Sequence, residues 1–177
     1  YGKLIRRYLD GEFGGISQVS PYLMALAYAG DRALAKPLIE NWLNEGIIVL
    51  ANRYVSSSYA HMSAKLPENE QEEFMEWVRE LEYGTNKIPK QDLTILLQVD
   101  AKIGQKNVKG GDTDIHEDNL AHLNAANKIY QELSQAEENW VVIDCMVNSQ
   151  MRSPEDINKE VVKALEGVIS SLHGNIN

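Results

Sequence analysis

Arg53 is the residue whose type and surroundings point most directly to chemistry. It follows an apolar run at residues 47–51 and Asn52, and it precedes three hydroxyl side chains, Ser56, Ser57 and Ser58. Such an apolar run is typical of a strand buried on both faces of a parallel sheet. Ligands of these sheets bind beyond the carboxyl ends of the strands, where a guanidinium fork can hold a phosphate. The pattern alone also fits an arginine that pairs with a surface carboxylate.

The first half of the chain predicts mainly helices around that strand. An apolar stripe from Leu4 to Leu9 indicates a short helix that ends at Gly11. Ser20 and Pro21 predict the start of another helix, because a hydroxyl N-cap followed by proline is a common first turn. Pro37 then either kinks this helix or begins a new one. Residues 67–83 predict an amphipathic helix with a solvated glutamate face, to which we assign Glu68, Glu70, Glu72, Glu73, Glu76, Glu80 and Glu82.

The second half predicts two more strands, at residues 93–99 and 140–144. Between them we expect a polar loop over 106–114 and a helix that starts in a capping-box-like sequence at 114–117. Ser153 and Pro154 predict the start of a last helix. Strands separated by helices imply right-handed crossovers. We therefore predict an α/β fold, with a parallel sheet and helices on both faces, in a single domain spanning residues 1–177.

Composition limits the possible partners. The 177 residues carry a net charge of -9, which argues against a nucleic-acid-binding surface because such surfaces need basic patches. Cys145 is the single cysteine, so we expect no internal disulfide, no multi-cysteine zinc site and a structural role for this thiol. The sequence shows no apolar run of membrane-spanning length and no signal-peptide pattern, so we expect no membrane partner and a cytoplasmic location.

Six landmarks, in register, resemble the thymidylate kinase family over nearly the whole chain, to about the last helix. They are residues 1–5 (YGKLI), 28–32 (YAGDR), 52–57 (NRYVSS), 89–97 (PKQDLTILL), 114–117 (DIHE) and 141–144 (VVID). The resemblance implies a fold like that of P-loop nucleoside monophosphate kinases. It also implies phosphoryl transfer from ATP to dTMP, giving dTDP, with Mg²⁺.

One motif of that family has no counterpart in these residues. The loop G-x-x-x-x-G-K-[ST], whose backbone N–H groups cradle the ATP phosphates, is not found, and the Gly2-Lys3 pair is followed by Leu4. By resemblance, we expect that a strand, the loop, a helix and a second strand would precede Tyr1, so the chain is interpreted as an N-terminally truncated, inactive form. The alternative is a degenerate paralogue. Without that unit, strands 47–51 and 93–99 would face a gap with unpaired backbone groups.

The resemblance assigns the acceptor site residue by residue. Tyr28 would stack on the thymine, and Arg32, four residues later on the same helical face, would bond a base carbonyl. Arg53 would hold the dTMP phosphate. Asn52 stands where the family usually has an aspartate near Mg²⁺, and its neutral amide places catalysis in question. Core packing for Tyr28 and a surface position for Arg32 are the alternatives.

The remaining assignments concern the sugar and the lid. Ser57 and Ser58 correspond to the stretch near the deoxyribose, and His61 stands where an aromatic closes the sugar side or simply packs. Residues 104–116 resemble the lid over the ATP phosphates, with Lys106 and Lys109 as candidate cations or as solvated loop lysines. His116 and Glu117 are interpreted as helix-capping residues.

Two other functions stay open at this point. The chain could be a non-catalytic nucleotide-binding paralogue, or a kinase for another nucleoside monophosphate or a deoxynucleoside. The resemblance also implies a homodimer formed through helices on one side of the sheet.

Overall fold

The computed structural model describes residues 1–108, 115–116 and 119–174. The α-helices of this part of the chain are α1 (Gly2–Leu9), α2 (Pro21–Asn44), α3 (Val55–Ser63), α4 (Glu68–Arg79), α5 (Ala101–Val108), α6 (Leu120–Ala136) and α7 (Pro154–Gly174), and a π-helical turn, Glu80–Thr85, follows α4. The strands are β1 (Thr94–Gln98), β2 (Trp140–Asp144), β3 (Met146–Val147) and β4 (Gln150–Met151). None of the described helices is both long and apolar enough to cross a membrane.

Strands β1 and β2 confirm two of the three predicted strands. They pair in parallel, with Thr94 opposite Trp140 and Gln98 opposite Asp144. Helices α5 and α6 connect the two strands, so the predicted helical crossover between parallel strands is present. The short strands β3 and β4 form an antiparallel hairpin that the sequence did not predict. The α/β class with a parallel sheet and helices is confirmed.

The core lies where α3 packs against α2, α4 and α6. Its fully buried members include Tyr8, Val55, Phe74 and Val78. Helix α3, which the sequence did not predict, is central because its residues from Ser58 to Ser63 are all buried. The helix that carries the hydroxyl residues after Arg53 is therefore held on several sides.

Helix α2 begins as predicted, with Ser20 at the N-cap and Pro21 in the first turn. It continues without a break through Pro37 to Asn44, so Pro37 does not start a second helix. The last helix also begins as predicted at Pro154, where the Ser153 hydroxyl accepts a hydrogen bond from the Asp156 backbone N–H at 3.1 Å.

The predicted strand at 47–51 is wrong. These residues form no strand, and Ile48 and Leu50 are 65% and 82% exposed rather than buried. An extended segment becomes a strand only when a neighbour satisfies its backbone groups. In the described part of the chain, β1 and β2 pair only with each other, and residues 47–51 have no such neighbour.

The region after β1 also differs from the prediction. Residues 101–108 form α5, so the predicted loop is helical over 106–108. Helix α6 begins at Leu120 rather than near residue 114, because the Asn119 side chain caps it by accepting from the His122 backbone N–H at 3.0 Å. His116 lies in a turn before the helix, so it is not a helix-capping residue, while Asp114 and Glu117 lie outside the described residues.

Candidate functional site

Arg53 lies in a strained turn between residues 47–51, which form no helix or strand, and the start of α3. Its φ angle is 70°, in the left-handed region that non-glycine residues seldom occupy. Such strain persists only where the surroundings fix it, and it is concentrated at ligand-binding sites. The residue is exposed, and its Nη1 lies 3.5 Å from Nε2 of His61. The turn therefore presents a guanidinium group to solvent at the N-terminus of α3.

The same helix places Ser57 and His61 on one face, because residues four apart lie one turn from each other. The Ser57 side chain hydrogen-bonds the hydroxyl of Tyr130, which lies on α6. Burial raises the pKa of Tyr130, and Ser57 and Arg53 offset part of that rise. The Tyr130 ring lies 5.9 Å from the His61 ring, edge to face. No sequence signal placed Tyr130 beside Arg53.

Arg32 reaches the neighbouring residue of α3. Its Nη2 donates to Ser58 Oγ at 2.8 Å, and its Nε donates to Glu82 Oε1 at 2.8 Å. Nη2 also contacts the same carboxylate oxygen. The Arg32 side chain is 15% exposed and that of Glu82 is fully buried. Arg32 therefore contacts Ser58 directly and is also bound to Glu82, a residue that had been predicted to face solvent.

The assignment of Glu82 to a solvated face is wrong, and the π-helical turn explains why. Helix α4 ends at Arg79, and the following turn is wider than an α-helical turn, which changes the side of the helix to which later residues point. A period of 3.6 residues carried through residue 82 cannot detect that change. The other glutamates of the face are exposed, as predicted.

Two tyrosines flank the Arg32 group. Tyr28, one turn before Arg32 on α2, is partly buried and packs against the core. Tyr54 donates its hydroxyl to the Pro89 carbonyl at 2.8 Å. Burial raises the pKa of Tyr54 to about 12, with Arg32 lowering it and Glu82 raising it. Tyr54 is therefore a neutral hydrogen-bond donor at neutral pH, and the sequence reading gave it no role.

Asn52 and the lid lysines are less closely joined to this arrangement. Asn52 is exposed beside Arg53. Lys106 lies within α5, and Lys109 lies outside the described residues. The lid at 104–116 and its two lysines therefore stay a prediction.

A depression of about 480 Å³ opens beyond the carboxyl ends of β1 and β2. Its lining includes Gln98, Asp100, Tyr130 and Asp144. Parallel sheets bind their ligands at this edge. Since Tyr130 also contacts His61 and Ser57, α6 links the sheet edge to the turn that carries Arg53.

Comparison with known proteins gives one consistent family. The family model described as thymidylate kinase matches residues 1–155. The "Probable thymidylate kinase" of Pyrobaculum aerophilum is 31% identical over 170 residues, which are 95% of this chain and 78% of that protein. The "Probable thymidylate kinase" of Methanococcoides burtonii is 33% identical over 78% of this chain and 63% of its own length. The "Thymidylate kinase" of Mycobacterium tuberculosis strain H37Rv is 34% identical over 58% and 47%, respectively.

These matched stretches range from about half to about three quarters of the relatives' lengths. The family model alone covers well over half of this chain. The predicted fold, that of the P-loop nucleoside monophosphate kinases, is the fold of this family. The chain is a member of the thymidylate kinase family, whose enzymes transfer a phosphoryl group to dTMP.

Proposed function

We propose that this chain provides the dTMP site of a thymidylate kinase and that Arg53 holds the 5′-phosphate of the acceptor. The observation that carries the proposal is the left-handed backbone of Arg53, which places an exposed guanidinium at the start of α3, 3.5 Å from His61. A fixed fork suits a phosphate because its two parallel N–H groups match two phosphate oxygens. His61 and Tyr130 limit the directions open to that side chain.

The base would lie toward α2, between Tyr28 and Arg32. Nε and Nη2 of Arg32 are engaged by Glu82 and Ser58, and Nη1 has no partner among the described residues. A guanidinium fixed in this way offers one donor group, Nη1 with its two N–H bonds, at a defined position. That donor suits the carbonyl of thymine and opposes the amino group that cytosine carries at the same place. Tyr28 would supply the stacking surface.

Phosphoryl transfer of this kind depends on positioning and on charge neutralisation. Arg53 would align the acceptor phosphate and offset its charge, and Ser57 would contact the sugar side. Asn52 offers Mg²⁺ a single neutral oxygen, so water and the ATP phosphates would have to provide the ion's other ligands. When bound, Mg²⁺ neutralises charge on the transferring group. Lys106 and Lys109 would serve the ATP phosphates from the lid.

The proposal predicts binding without turnover for a polypeptide of these 177 residues alone. We expect calorimetry to show dTMP binding about 5- to 150-fold tighter than dCMP, because a donor facing a donor costs about 1–3 kcal/mol. With ATP and Mg²⁺, we expect no dTDP, since no G-x-x-x-x-G-K-[ST] loop lies in these residues to hold the donor phosphates. A version that also carries such a loop segment should form dTDP.

Three outcomes would contradict these expectations. Equal affinity for dTMP and dCMP would show that the base does not meet Arg32. Magnesium-dependent dTDP formation by the 177 residues would show that another element holds ATP. An inactive loop-bearing version would favour the nucleotide-binding paralogue.

We further propose a homodimer formed through α2. The helix exposes Leu23, Leu26, Leu34 and Leu38, which are between 45% and 71% exposed. At about 100° per residue they lie within about 120° of arc, so they form one apolar face. A surface of this kind on a described helix suits a second copy of the same face, because twofold dimers use identical patches.

Leu34→Glu should convert the dimer to a monomer in multi-angle light scattering, since it places two charges in a self-complementary interface. Val162→Glu is the matched control, because Val162 is an exposed apolar residue on α7. A wild-type monomer, or an unchanged mass for Leu34→Glu, would contradict this interface.

A further inference from the structure

Three of the four histidines of the chain meet in one buried cluster. His61 comes from α3, His116 from the turn before α6, and His122 from the first turn of α6. Their exposed fractions are 9%, 4% and 6%. The cluster therefore combines three segments of the chain, because His116 follows His61 by 55 residues and His122 follows His116 by 6. Its interior position keeps it from bulk water.

The ring nitrogens of the cluster face one another. Nε2 of His122 lies 3.3 Å from Nδ1 of His61 and 2.8 Å from Nδ1 of His116. One nitrogen from each ring lies within 4.8 Å of the other two. In a tetrahedral zinc site with Zn–N bonds of about 2.0–2.1 Å, ligand nitrogens are about 3.3–3.4 Å apart. The distance between the His61 and His122 nitrogens equals that separation. The distance between the His116 and His122 nitrogens would have to widen by about half an ångström.

Each ligating ring must be a neutral imidazole, because only the neutral ring keeps a lone pair on one nitrogen for the metal.

The ligand set also selects the type of ion. The cluster consists of imidazoles, and no carboxylate belongs to it among the described residues. Imidazole suits zinc-type transition ions, whereas Mg²⁺ requires oxygen ligands. Arg53 and Lys65 add positive charge nearby, so the fourth position would have to hold hydroxide or another small anion.

We propose that His61, His116 and His122 form a three-nitrogen Zn²⁺ site, separate in ligand chemistry from the Mg²⁺ that accompanies ATP. Three protein ligands leave the fourth position open. An ion there would tie the turn at 115–116 and α6 to α3. Ligation through Nδ1 of His61 would leave the ring proton on Nε2, which lies 3.5 Å from Arg53 Nη1, so occupancy would turn the guanidinium away from His61.

The test is a titration of metal-free protein with Zn²⁺ at neutral pH, followed by calorimetry and by thermal unfolding. We expect one Zn²⁺ per chain at micromolar metal concentration, unaffected by excess Mg²⁺, and a rise of several degrees in Tm, because a ligand of the folded state stabilises it. Co²⁺ in place of Zn²⁺ should give the visible absorption bands of tetrahedral coordination.

His122→Phe should abolish the binding while keeping an apolar ring in the core. His173→Phe is the matched control, since His173 is the fourth histidine and lies on α7. His61→Gln provides a second, polar variant if His122→Phe does not fold. The absence of stoichiometric Zn²⁺ binding by the folded wild type would overturn the proposal, and so would wild-type affinity in either cluster variant.

Discussion

Arg32→Met should destabilise the protein by about 3–5 kcal/mol, because it leaves the Glu82 carboxylate buried without its cation. Glu82 is fully buried, and its Oε1 receives hydrogen bonds from two nitrogens of Arg32. Glu82 Oε2 has no hydrogen-bond partner in the described part of the chain, so Arg32 carries most of the compensation. Chemical denaturation followed by circular dichroism measures the loss.

A second variant separates the lost pair from the lost volume. Arg32→Met combined with Glu82→Leu removes both charges, and replacing a buried ion pair by apolar residues is often close to neutral. The double variant should therefore be more stable than Arg32→Met alone, which is the opposite of additive behaviour. Arg6→Met is the matched control, since Arg6 pairs with Asp10 on the exposed face of α1 and should change stability little.

A small effect of Arg32→Met, below about 1 kcal/mol, would show that the carboxylate reaches water or another cation. It would also remove the reason to treat Arg32 as fixed, and with it the selectivity for a carbonyl over an amino group. The stability that the Arg32–Glu82 pair contributes and the selectivity for thymine over cytosine therefore depend on the same fixed position of Arg32.

The sequence was sufficient where local signals and tertiary structure agree. Ser20 with Pro21 and Ser153 with Pro154 mark the starts of α2 and α7, and the apolar runs at 94–98 and 140–144 are β1 and β2. A hydroxyl N-cap and an apolar run act over a few residues, so they can be read without the rest of the fold.

The errors occurred where distant residues decide. The run at 47–51 has the composition of a strand but forms none, because pairing depends on a neighbouring backbone. The helical periodicity predicts that Glu82 faces solvent, and only the π-helical turn brings its side chain to Arg32. The resemblance to the family predicted that Arg53, Ser57 and His61 lie near one another. It did not indicate Tyr130, His116 and His122, which come from α6 and the turn before it.

Arg53→Lys should weaken dTMP binding by one to two orders of magnitude, equivalent to about 1.4–2.8 kcal/mol. A lysine ammonium is a point charge and cannot reproduce the bidentate fork on a phosphate. Lysine would also occupy the same left-handed backbone, so the strain at φ 70° remains and the comparison isolates the side chain. Affinity for dCMP should fall by the same factor, because this side chain contacts only the phosphate.

Thymidine supplies the decisive control, since it has the base and sugar of dTMP without the phosphate. Arg53→Lys should leave thymidine binding unchanged, and Arg6→Lys should leave both ligands unchanged because Arg6 lies on the exposed face of α1. The measurement is calorimetric titration of wild-type protein and Arg53→Lys with dTMP and thymidine under identical salt. A loss of affinity confined to dTMP is the predicted result, whereas an equal loss for both ligands, or none for either, would contradict the assignment of Arg53 to the acceptor phosphate.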